Sequence, residues 1–213
     1  MVESRIKSTS KPQTELWLKI ISNTSAEGPL YAAMRHVAHN LAEMVGRPIQ
    51  INNLRIETLP ISHLNARVDD PEAETVGIYL LIGEDLPGEA ILILPLDDAM
   101  YLADWLLEIR PGTTTKLGPL ECSALAEFGN LTLSSFLNAV AEFVGTPLRL
   151  SPPAVMVDMV ATVFEAVVMS AAAVTDELLI VEADFVNVES DLSIRFWVLP
   201  NTAELSTHLA KIE

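Results

Sequence analysis

The sequence predicts an α/β (α+β) fold, a single unit with an internal duplication. Three observations carry this: a repeated helix-to-strand junction, a repeated strand closed by Leu-Pro, and a Pro/Gly linker between the two copies. Leu41-Ala42-Glu43-Met44-Val45-Gly46-Arg47-Pro48 returns as Val140-Ala141-Glu142-Phe143-Val144-Gly145-Thr146-Pro147. In each, an apolar helical pattern runs into a Gly suited to end it, with a Pro just beyond. Such internal similarity implies two structurally equivalent halves.

A β-like run follows each junction, Ile49–Thr58 in the first copy and Leu148–Ser151 in the second. Ala90–Pro95 and Ile194–Pro200 are then strands closed by Leu-Pro, each leading into a helical stretch, Asp97–Ile109 and Thr202–Ile212. Thr75–Ile82 and Glu177–Val188, rich in β-branched residues, read as the strands before them. Each half is therefore a long helix, a strand, a short helical or irregular segment, a two-stranded hairpin and a closing helix. Arg110-Pro111-Gly112-Thr113-Thr114-Thr115 separates the halves, since Pro and Gly interrupt a continuous helix. The expected organisation is one domain over 1–213, with a first repeat at about 14–109, a linker at 110–118 and a second repeat at about 119–213. Each half leaves a strand edge open. The halves should complete one another's sheet, giving pseudo-twofold symmetry and a mainly antiparallel sheet flanked by long helices.

Composition narrows the partners. Half of the 213 residues are apolar and a fifth charged, which is globular and excludes a disordered or fibrous chain. Against 29 acidic residues stand 13 Lys and Arg, a formal charge of −16. No nucleic-acid partner is expected, because phosphate backbones are bound by clustered cations. An anionic membrane surface is disfavoured for the same reason. The apolar region Ala154–Val181 is broken by Asp158, Glu165, Asp176 and Glu177, so no membrane insertion is expected. Met1–Gln13 is polar and unlike a signal sequence, and the single cysteine, Cys122, allows no internal disulfide. A cytoplasmic location follows as the expectation.

Pro119–Val144 is the informative helix. Cys122, Leu125, Phe128, Leu133, Phe136, Leu137, Val140 and Phe143 recur at helical spacing and predict its apolar side. Ser123, Glu127, Asn130 and Ser134 are spaced by four, three and four residues. At about 100° per residue they fall within a band roughly 60° wide. Gly129 is expected to leave room beside this stripe. Periodicity alone makes such a row an ordinary solvated face.

Ser123, Glu127 and Asn130, followed after twenty-two residues by Pro153, resemble the pattern of the CheC, CheX and FliY phosphatases, CheC above all. The likeness extends to Arg110-Pro111-Gly112-Thr113-Thr114, Leu137-Asn138-Ala139, Ser151–Met159 and Val181–Phe185. The resemblance implies a protein aspartyl-phosphate phosphatase acting on a phosphorylated CheY-like response regulator, in chemotaxis or two-component signalling. Glu127 and Asn130 are its implied catalytic residues, with Ser123, Ser134 and Pro153 in contact with the partner. Hydrolysis of an aspartyl phosphate needs a water in line with the breaking bond, which is a matter of positioning and electrostatics. The carboxamide of Asn130 offers a donor and an acceptor without charge. Glu127 suits an ion pair with the regulator's Lys, fixing the register of docking. No cofactor is implied for this chain, the Mg²⁺ being supplied by the regulator. The deamidase CheD is a further implied partner, as it is for some CheC proteins. The alternative is a non-catalytic module like the middle domain of the flagellar switch protein FliM, which lacks the Glu and Asn.

The first repeat departs from the pattern. Without gaps, Thr24, Gly28 and Tyr31 take the Ser, Glu and Asn positions; with an eight-residue insertion, Leu16, Ile20 and Asn23 do. Neither register supplies the Glu, so one site is expected, not two. His36, His39 and Glu43 share a helical face but read as solvated, and Asp69, Asp70, Glu72 and Glu74 read as a loop. No metal site is expected from either group. Cys122 reads as core, not as a nucleophile.

Overall fold

The computed structural model describes residues 11–22, 28–67, 70–83, 85–172, 177–187, 189 and 192–200. The expected closing helix Thr202–Ile212 lies outside them, as do Asn23, Thr24, Asp69 and Asp176. Six strands form one sheet: β1 (Gln50–Pro60), β2 (Glu74–Ile82), β3 (Gly88–Pro95), β4 (Ala154–Met159), β5 (Glu177–Val186) and β6 (Ser193–Pro200). Their order is β1-β5-β6-β3-β2-β4, and every pairing is antiparallel. The two hairpins meet at β3–β6 in the centre. The first strand of each half then crosses over, β1 to β5 and β4 to β2. This is the pseudo-twofold exchange of edges expected from the sequence.

Among the described residues, five helices cover the sheet: α1 (Lys11–Ile21), α2 (Pro29–Val45), α3 (Leu96–Leu106), α4 (Pro119–Val144) and α5 (Val160–Ala172). The repeated Gly residues are their physical punctuation. Gly46 and Gly145 end α2 and α4 at φ 65° and 71°, the left-handed region that an L side chain enters only with strain. Their N–H groups donate to Ala42 and Ala141 carbonyls, using acceptors that a helix end leaves open. Pro stands at the first turn of both helices, where its missing N–H is not needed.

The main core lies between the sheet and α1, α2, α3 and α4; Phe136 of α4 meets Phe196 of β6 edge-on at 5.3 Å. Asn40 Nδ2 donates to Ser135 Oγ at 2.7 Å, joining α2 to α4. A smaller core under α5 fills the opposite face, with Phe164 against Trp197 at 4.7 Å. On that same face the first repeat places a 3-10 helix, Ile61–Arg67. There the buried Glu182 accepts from Arg67 Nη1 at 2.6 Å and Arg55 Nη2 at 2.8 Å, which satisfies a charge that burial would otherwise make costly.

One local expectation is corrected. Leu148–Ser151 is not the strand of the second repeat: only Leu150 makes an isolated bridge, to Ile82, and the strand is β4. Pro152 and Pro153 supply no N–H for the ladder, so pairing restarts after them. The short helical or irregular segment expected next is helical, the 13-residue α5. Among the described residues, no helix is long and apolar enough to cross a membrane.

Candidate functional site on the outward face of α4

The start of α4 is organised by its own sequence. Gly118 N–H donates to Glu121 Oε2 at 2.9 Å, and this first-turn carboxylate also suits the positive end of the helix dipole. Leu125, Phe128, Gly129, Thr132, Leu133, Ser135, Phe136, Leu137 and Val140 are buried. What remains outward is the side on which the polar stripe lies.

Glu127 is exposed and Asn130 half-buried, one turn apart on that side. Ser123 is exposed, with Oγ donating to the Pro119 carbonyl at 2.7 Å. Ser134 is half-buried; its neighbour Ser135 is the serine that binds Asn40. Pro153 is half-buried and immediately precedes β4. Val155 lies opposite Ile78 of β2, and Ile78 is the residue beneath Gly129. Pro153 is thus two residues along the sheet edge from the position underlying the Glu127–Asn130 turn.

The structure revises three details of the helix. Gly129 leaves no room on the outward side; it faces the sheet, and a Cβ there would lie 2.4 Å from Ile78 Cγ2. Phe143, counted with the apolar side, is 51% exposed, although Val140 and Val144 around it still pack on the core. Cys122 is half-buried, not in the core proper.

Two residues of this face escaped the sequence reading. Leu120 is 63% and Leu131 47% exposed. They stand seven residues before and four after Glu127, so helical spacing puts them on its side of α4. That spacing was the available signal. An exposed leucine is ordinary singly, but here two flank the carboxylate.

The first repeat offers no equivalent. The shared C-terminal Gly of α2 and α4 supports the ungapped register, which places buried Gly28 at the N-cap of α2 and half-buried Tyr31 in its first turn. In the gapped register Ile20 is fully buried in α1 and faces no partner. His39 Nε2 stands 3.5 Å from Glu43 Oε1, both well exposed. Among the described residues, no group of three or more His, Cys, Asp or Glu could hold a metal ion.

Residues 120–157, which contain the stripe, Pro153 and the start of β4, match the model of the CheC-like family. That segment of the chain is CheC-like. The chain is 24% identical over 170 residues to the CheY-P phosphatase CheC of Bacillus subtilis (strain 168), spanning 78% of this chain and 81% of that protein. The crystal structure of Thermotoga maritima FliY superposes with a TM-score of 0.61 at 20% identity, covering 99% of this chain and 97% of that one. The FliM middle domain of Vibrio alginolyticus gives 0.57 at 11% identity, over 84% and 95% of the two chains. At such identities these structures establish the fold: the CheC-like fold is shared by FliY and by FliM.

Proposed function

We propose that this CheC-like chain is a phosphatase that removes the phosphoryl group from the aspartyl phosphate of a CheY-like response regulator. The observation carrying the proposal is the placement of Glu127 and Asn130. They stand one turn apart on the outward side of α4, inside the segment that matches the CheC-like family. The relative from Bacillus subtilis is named as a CheY-P phosphatase.

The chemistry suits a protruding helix. In the reaction a water oxygen bonds to phosphorus, the bond from phosphorus to the aspartyl oxygen breaks, and inorganic phosphate leaves. The surplus water proton ends on phosphate. Asn130 would accept a hydrogen bond from that water through its carboxamide oxygen and steady the phosphoryl group through its NH₂. Glu127 would pair with the regulator's Lys, holding Asn130 in register. The catalytic Mg²⁺ belongs to the regulator in this reading. With a net charge of −16, long-range attraction to an acidic partner is not available, so docking rests on local fit. Leu120 and Leu131 add apolar surface on the same side.

The shared fold of the FliM middle domain supports one other reading, a binding module without catalysis. Phosphate release from a purified phosphorylated regulator, with and without this chain, separates the two. Acceleration supports the phosphatase; binding without acceleration supports the module. CheD remains a proposed second partner of either form.

A further inference from the structure

Gly129 sits between Glu127 and Asn130 in sequence but on the other side of the helix. At about 100° per residue it is turned roughly 160° from Glu127, and it is buried. A Cβ at this position would lie 2.4 Å from Ile78 Cγ2, 3.2 Å from Ile78 Cβ and 3.5 Å from Ile78 Cδ1. Carbon atoms in contact rest at about 3.5–4.0 Å, so any side chain here would force a displacement of about 1 Å.

The strand beneath is not free to yield. Ile78 is fully buried and lies opposite Leu92 of β3 on one side and Val155 of β4 on the other. Its neighbour Gly77 makes the same kind of close approach on the far face: a Cβ there would be 2.7 Å from Val163 Cγ1 of α5 and 3.3 Å from Ile91 Cδ1. β2 is therefore clamped between two helices, each brought in by a missing side chain. A closely packed interior passes such displacement on and does not absorb it. The yielding element would be α4, which Phe128, Leu133 and Phe136 anchor in the core on either side of Gly129. The result is a local bend that turns Glu127 and Asn130 relative to one another.

We infer that Gly129 is a positioning residue: its seat on Ile78 sets the height and straightness of α4 at the turn that presents Glu127 and Asn130. This rests on the proposed phosphatase function. A misplacement of about 1 Å at a reacting group is enough to lower a rate about a hundredfold. The contact also inverts an ordinary expectation. Gly→Ala inside a helix normally stabilises, whereas here it should destabilise.

The test uses the full chain in five forms: wild type, Gly129→Ala, Gly77→Ala, Ile78→Ala, and the double change Gly129→Ala with Ile78→Ala. Two quantities are read below every melting temperature: amide hydrogen exchange, which needs no regulator, and phosphate release at saturating phosphorylated regulator with Mg²⁺. Gly129→Ala should speed exchange across 124–134 and lower the maximal rate at least about tenfold, with half-saturation changed less than about threefold. Gly77→Ala should speed exchange in α5 and keep the maximal rate within about twofold of wild type. Adding Ile78→Ala to Gly129→Ala should raise the rate while lowering the melting temperature further, because it removes the obstructing methyl but opens a cavity. A purely structural role would move rate and stability together.

The inference is overturned if Gly129→Ala keeps wild-type exchange and rate, if Gly77→Ala loses as much rate, or if the double change is slower than Gly129→Ala alone. A wild-type chain that does not accelerate release refutes the phosphatase reading instead. Exchange across 124–134 then decides the seat by itself: faster exchange in Gly129→Ala supports it, and unchanged exchange overturns it.

Discussion

The carboxylate of Asp104 accepts the N–H of Thr114 at 3.0 Å, tying the last turns of α3 to the linker between the repeats. It also accepts the N–H of Thr113 at 2.9 Å, and Thr113 closes a turn onto the Arg110 carbonyl. Asp104 is fully buried. Burial pushes its carboxyl up, but hydrogen bonds from Thr114, Thr113 and Gly112 more than offset this and leave it below the ordinary carboxylate value. The RPGTT segment is thus legible as a linker from its Pro and Gly, while the acid that organises it is not, being one of 29 acidic residues in the sequence.

A depressed folded-state pKa contributes stability that is present above the unfolded value and lost as pH falls through the folded one. Wild type should therefore lose this contribution only below about pH 4. Asp104→Ala should destabilise by about 2 kcal/mol at pH 7, since it removes the charge-assisted hydrogen bonds that the Thr113 and Thr114 N–H groups donate to this buried carboxylate. Urea melts at pH 7 and pH 3.5 check both points. A variant as stable as wild type at pH 7 would remove Asp104 from this role.

Glu89 works in the opposite direction. It is buried in β3, and burial pushes its carboxyl up to about 6, with a hydrogen bond to Tyr79 pulling it partly back. Below pH about 4.5 the group is protonated in both folded and unfolded chains. Between there and about 6 only the unfolded chain ionises, so stability falls as pH rises and levels off above. The loss at pH 7.5 is about 2 kcal/mol, and Glu89→Gln should recover most of it while changing little at pH 4.5. Denaturant midpoints at the two pH values decide this. An equal effect at both would show that packing, not charge, governs the site.

The number of functional turns is a further prediction. Gly28 and Tyr31 take the places of Glu127 and Asn130 in the first repeat, and Gly28 is buried at the start of α2. Neither can pair with a Lys, so one regulator should bind per chain. Titration with a stable mimic of the phosphorylated regulator should saturate at one. Glu127→Ala alone should lower binding and rate together, and Glu127→Ala with Asn130→Ala should leave only the regulator's own hydrolysis. Saturation at two, or residual acceleration in the double variant, would mean the first repeat works by other chemistry.

The sequence exposed the symmetry because its markers are local. A Gly that must enter the left-handed region and a Pro that follows it are compositional facts, and both copies kept them at Gly46–Pro48 and Gly145–Pro147. What it hid depends on distant partners. Periodicity labels Phe143 apolar but does not show that the fold leaves it 51% exposed. Gly129 reads as small, and only the fold brings Ile78 beneath it. The strand of the second repeat lies six to eight residues beyond the expected Leu148–Ser151, because Pro152 and Pro153 offer the ladder no N–H and regular pairing starts only after them.

The central claim is that Asn130 orients the attacking water, and one measurement meets it directly. Phosphate release from a phosphorylated CheY-like regulator is followed at saturating wild type and at saturating Asn130→Ala, with Mg²⁺ and at matched folded fraction. Asn130 is on the outward side of α4, so the variant should melt within about 2 °C of wild type. The expected result is acceleration by wild type and a return to the regulator's intrinsic rate with Asn130→Ala, the mimic still binding. An Asn130→Ala chain that keeps most of the acceleration would contradict the claim.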